Sequence, residues 1–175
     1  MRRTLRELRE NLEEFVLQPD HALLFVCCTD NDVPYVLKTQ EQLQGEDPSN
    51  VYFAFADPFV DAPSYGLAIA ERFRQLFALA DEHRATEGDP PLAPFPEAIF
   101  ARDTSPEARI VRAIEHVSQY LPDRIENRVV VALLPLQIAS PDAYSRFLAS
   151  FASYGEPAAW MQYARIVGRD QRSGR

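Results

Sequence analysis

The sequence predicts a three-layer α/β fold, with a mainly parallel sheet of about four strands between flanking helices. Three observations predict it. Short apolar runs recur at residues 22–28, 51–56, 128–134 and 161–167, separated by longer segments whose apolar residues fall three and four apart. Several of those longer segments open on an acidic or serine residue followed by proline, which is the grammar of a helix start. Strands that alternate with helices need crossover connections, and crossovers make neighbouring strands parallel.

Each element follows from local chemistry. Leu5, Leu8, Leu12, Phe15 and Val16 form one stripe of a helix over residues 3–17, which Pro19 ends. Residues 22–28 are an unbroken apolar run, expected as a strand covered on both faces. Asp32-Val33-Pro34 opens a second helix to about Gln44, with Asp32 as its cap. Residues 51–56 (Val-Tyr-Phe-Ala-Phe-Ala) are rich in aromatic and β-branched types and read as the next strand. Asp61-Ala62-Pro63 repeats the cap, and Ile69, Phe73, Leu76, Phe77 and Ala80 then share one stripe to about His83.

Residues 88–104 break the pattern. Pro90, Pro91, Pro94 and Pro96 exclude regular helix and central strand there. Ser105-Pro106 restarts a helix with Ile110, Ile114, Val117 and Leu121 inward, and residues 128–134 are the clearest strand in the chain. Ser140-Pro141 opens a helix carrying Tyr144, Phe147, Leu148 and Phe151, before the last strand at 161–167. Residues 1–167 thus read as one domain and 168–175 as a basic tail.

Composition narrows the function. The 175 residues hold 18 Lys and Arg against 26 Asp and Glu, a formal net charge of −8. Affinity for nucleic acid comes largely from neutralising phosphates, so no nucleic-acid partner is expected. No apolar run approaches the roughly 20 residues that span a bilayer, and Met1-Arg2-Arg3 leads into no apolar signal core. The expected setting is cytoplasmic, with Cys27 and Cys28 as a buried reduced pair, because adjacent strand residues point to opposite faces.

The ends of parallel strands are where such folds bind ligands. The topology here resembles a nucleotide-binding α/β domain without its phosphate loop. Lys38-Thr39 follows the first strand, yet no glycine lies between Cys28 and Lys38, and Asp30 and Asp32 would repel phosphate. No dinucleotide fingerprint occurs among six glycines, so no cofactor is expected. Asp30-Asn31-Asp32 has the outline of the paired aspartates of aspartate-based phosphohydrolases. Asp57 and Asp61 are candidates to join it around magnesium, although the rest of that pattern is missing. His21, His83 and His116 share no ligand spacing, and His116 reads as an exposed helix-face residue.

Surfaces are the other source of function. Leu92, Phe95, Ile99 and Phe100 interleave with the prolines of residues 88–104 and are candidate anchors for a partner. Trp160 stands in an aromatic segment near the C-terminal end and is a further candidate. The expectation is a non-catalytic module that binds another protein, as an adaptor, dedicated chaperone or inhibitor. The alternative is a magnesium-dependent phosphohydrolase or nuclease-like enzyme using Asp30, Asp32 and Asp57.

Overall fold

A computed structural model describes residues 2–152 and 158–170. In chain order it contains α1 (Arg2–Leu17), β1 (Leu23–Cys27), α2 (Val33–Glu46), β2 (Val51–Phe55), α3 (Ala62–Glu87), a 3-10 turn at Glu97–Phe100, α4 (Pro106–Ser118), β3 (Val129–Leu133), α5 (Pro141–Ala152), a second 3-10 turn at Ala159–Gln162, and β4 (Ala164–Asp170). The four strands form one sheet in the order β1-β4-β3-β2, and every pairing is parallel. The fold class read from the sequence is the one observed.

The two sheet faces carry separate cores. Leu12, Phe15 and Val16 of α1 join Val33, Val36 and Leu43 of α2 over Val130, Ala132, Leu134 and Val167. On the opposite face, α3, α4 and α5 bring Ile69, Phe73, Ile110, Ile114, Phe147 and Phe151 onto Val129, Val131, Leu133 and Ile166. β3 is buried at all five positions, as expected of a central strand covered on both sides. Helices α3 and α4 approach closely at Gly66, where a Cβ would stand 2.8 Å from the Pro106 backbone.

Several boundaries and burials differ from the sequence reading. The last strand begins at Ala164 and runs to Asp170, so Gly168, Arg169 and Asp170 are strand rather than tail. The remaining tail residues, 171–175, lie outside the described residues. β1 is an edge strand and is only half covered, so Cys27 is exposed and Cys28 half-buried, not a buried pair. Asp61 does cap α3, accepting from the Ser64 amide at 2.7 Å, whereas the Asp32 carboxylate turns back to Thr29 and caps nothing. Helix α3 continues to Glu87 and ends at Gly88, whose φ of 80° is the left-handed conformation that terminates helices at low cost.

One buried cation ties the end of α1 to the last strand. Arg165 of β4 is fully buried, and its guanidinium donates to the carbonyls of Gln18, Met161 and Ala164. Gln18 follows α1, so positive charge meets the negative end of that helix. Burial, with Arg128 nearby, lowers the Arg165 pKa to about 10, which still leaves it charged at neutral pH.

Candidate functional site

The C-terminal ends of β1 and β3 are bridged from inside. Arg169, 2% exposed, projects from β4 into the position where an open α/β sheet takes ligands. Its Nε donates to Cys28 O at 3.2 Å, its Nη1 to Pro135 O at 2.8 Å, and its Nη2 pairs with the Asp30 carboxylate. The Tyr144 hydroxyl seals the same region, donating to Leu133 O at 2.6 Å and accepting from the Arg169 amide at 3.3 Å. Burial pushes the Tyr144 phenol well above its usual range, so it stays neutral.

The aspartates that the sequence grouped are not brought together. Asp30 and Asp32 follow β1 while Asp57 and Asp61 follow β2, and these strands occupy opposite edges of the sheet. Three interstrand steps, roughly 14 Å, separate the two pairs. Each carboxylate also has a local partner. Asp32 accepts from the Thr29 hydroxyl and amide, which lowers its pKa, Asp57 pairs with Arg72 at 3.3 Å, and Asp61 caps α3. Among the described residues, no three His, Cys, Asp or Glu side chains gather as a metal-holding group.

The loop after α3 is clamped to the core. Phe95 packs against Phe77, Phe100 and His116, and Arg109 donates to the carbonyls of Ile99 and Ala101 at 2.8 Å each. Leu92 N donates to Asp81 at 2.7 Å and Ala93 N to the Tyr120 hydroxyl at 2.9 Å. Ile99 and Trp160, expected as partner contacts, are each 1% exposed and belong to the core. His116, expected on an exposed helix face, lies beneath the loop, 7% exposed, and its burial lowers its pKa.

The open site lies along β2 instead. Strand β2 is a sheet edge, walled by α2 on one face and α3 on the other. Between them runs an apolar groove of about 580 Å³, with Tyr52 and Phe53 as floor, Leu37 and Gln40 on one wall, and Leu76 and Phe77 on the other. Leu92 brings the proline-rich loop to its rim. A second depression of about 600 Å³ shares Ala54 and Leu76 with the first and continues past Asp57 to Leu79. Val51 N donates to Arg128 O, and Phe55 O accepts from Leu134 N, both at 2.9 Å. Residues 51, 53 and 55 therefore turn their backbone groups toward β3, and Tyr52 and Ala54 turn theirs to the open edge.

Two features set this groove apart from ordinary surface. Leu76 and Leu79 stay exposed on a stripe that begins in the core at Ile69 and Phe73. Gln40, 2% exposed, lines the groove with neither atom of its side-chain amide hydrogen-bonded. Tyr52 beside it is buried enough to raise its phenol to about 12.

The sequence carried both signals. A helix of 26 residues is about 39 Å long, whereas a five-residue strand covers about 17 Å, so α3 outruns the sheet and leaves its later leucines uncovered. Gln40 interrupts an apolar stripe of Val33, Val36 and Leu43, a polar residue where core spacing calls for an aliphatic one. No family model, curated protein or solved structure matches the chain.

Proposed function

We propose that the protein is a non-catalytic binding module that captures another polypeptide in the groove along β2. The observation that carries this reading is an apolar groove floored by an unpaired strand edge. Exposed apolar surface that is concave and continuous is the usual mark of a recognition site, whereas isolated exposed leucines are ordinary. The proline-rich loop serves the site by holding Leu92 at the rim, with Phe95 and Phe100 fastening the loop from below. Between the loops that follow β1 and β3 the space is taken by Arg169, which bonds to Cys28 O, Pro135 O and the Asp30 carboxylate.

The test compares partners retained from the native cell by three forms of the protein. Species held by the unaltered protein and by Ile125→Asp, but lost with Leu76→Asp, support the groove. Ile125 is the control because it is exposed and apolar and does not line the groove. Equal retention by all three forms sinks the reading.

A further inference from the structure

We infer that the occupant of the groove is an extended segment of another protein, added to β2 as a fifth strand. This rests on the reading that the groove is the docking surface and goes further by naming the form of the partner. Three observations carry it. The backbone groups of Tyr52 and Ala54 face the open edge and offer two N–H donors and two carbonyl acceptors at strand spacing. The two walls differ in chemistry and fit a strand whose successive side chains point to opposite faces. One wall is lined by Leu37 and Gln40, and the other by Leu76 and Phe77. Finally, Gln40 holds an unpaired donor and acceptor beside the groove and almost wholly out of water, an arrangement that costs the free protein stability and that a bound polar group relieves once the side chain turns into the groove.

The flanking helices argue against a second copy of this chain. Edge-to-edge pairing of two β2 strands would bring two sets of α2 and α3 walls into the space that one groove provides. A single extended segment has no such walls. About five residues of strand, roughly 17 Å, match the length of β2. The segment expected is apolar on the side that meets Leu76 and Phe77. On the side that meets Gln40 it carries one amide or hydroxyl side chain among apolar ones.

The probe is a phage-displayed library of random twelve-residue peptides, selected on the full chain. Synthetic copies of the selected peptides are then titrated against three forms of the protein. Strand addition predicts slowed hydrogen exchange at the Tyr52 and Ala54 amides on binding, loss of binding in Leu76→Asp, and about tenfold weaker binding in Gln40→Leu. It also predicts that Gln40→Leu melts no lower than the unaltered protein, which separates a recognition role from a structural one. Peptides that need Leu76 but leave the Tyr52 and Ala54 exchange unchanged overturn strand addition and leave the groove standing. Selected peptides that ignore Leu76→Asp, or a library that yields none, overturn both. Protection of those amides by self-association, seen as a dimer in sedimentation without peptide, overturns the heterologous partner in favour of a second copy.

Discussion

The guanidinium of Arg169 lies against the carboxylate of Asp30 and bridges the last strand to the loop that follows the first. The two partners are unequal, since Arg169 is almost wholly buried and Asp30 is mostly exposed. Arg169 also serves two main-chain carbonyls, Cys28 O and Pro135 O, which lose this donor once it is removed.

That inequality gives the first prediction. Arg169→Met is expected to lower unfolding free energy by about 2–4 kcal/mol, because it orphans two carbonyls and a strand-end loop. Asp30→Asn is expected to cost no more than about 1 kcal/mol, as for an exposed partner. Urea denaturation of both variants measures the difference. Equal losses would mean that the ion pair, rather than the carbonyl contacts, holds the strand ends together.

Phe95→Ala is expected to destabilise the fold by about 2 kcal/mol, since the ring fills space among Phe77, Phe100 and His116. A purely partner-facing ring would leave the melting temperature unchanged. Thermal denaturation of the variant decides between these outcomes.

His116 should make stability fall with acidity. Its folded pKa is depressed below the ordinary 6.5, so in the window below that value the unfolded chain takes up a proton that the folded chain resists. Stability contributed by the neutral ring is present above about pH 6.5 and is lost progressively as the pH drops toward the folded pKa. The aromatic rings packed on it are Phe77, Phe95 and Tyr120, and a hydrogen bond with the Ala93 backbone offsets part of the effect of burial. His116→Leu should flatten the melting temperature between pH 7 and pH 5 relative to the unaltered protein, and an unchanged slope would remove His116 as its source.

Two glycine substitutions should move stability in opposite directions. Gly45 lies in α2 with open space around it, so Gly45→Ala is expected to gain about 0.5–1 kcal/mol of helix propensity. Gly66 lies in α3 against the Pro106 backbone, which cannot swing aside as a flexible side chain can, so Gly66→Ala is expected to lose about 1–3 kcal/mol. Denaturant midpoints of the pair read the signs directly.

The sheet was legible because its central strand is apolar at every position and its helices open on Ser or Asp and Pro. Strand order was not legible, and it decided the fate of the aspartates. Nothing local distinguishes an arrangement with β1 beside β2 from one with the two at opposite edges, yet only the first would gather Asp30 and Asp57. Arg169 was hidden for a related reason. A cation placed by sequence just past an apolar run reads as solvated, and only the pairing of Val26 with Arg169 carries it inward. The proline-rich loop was recognised as unusual, but its aromatic rings satisfied the core before any partner.

The pairing of β1 with β4 joins the earliest strand to the latest. Leu23 has no neighbour in the sheet until Ile166 exists, and α1 has no Arg165 to close its end. During synthesis, which proceeds from the N-terminus, β1 therefore leaves the ribosome long before the only strand it can join. Its apolar run stays available to chaperones, or to other nascent chains, until residues 164–170 have been made. Completion of the sheet then waits on a single late event, the arrival of residues 164–170, and a chain stopped short of them leaves β1 without a place to dock.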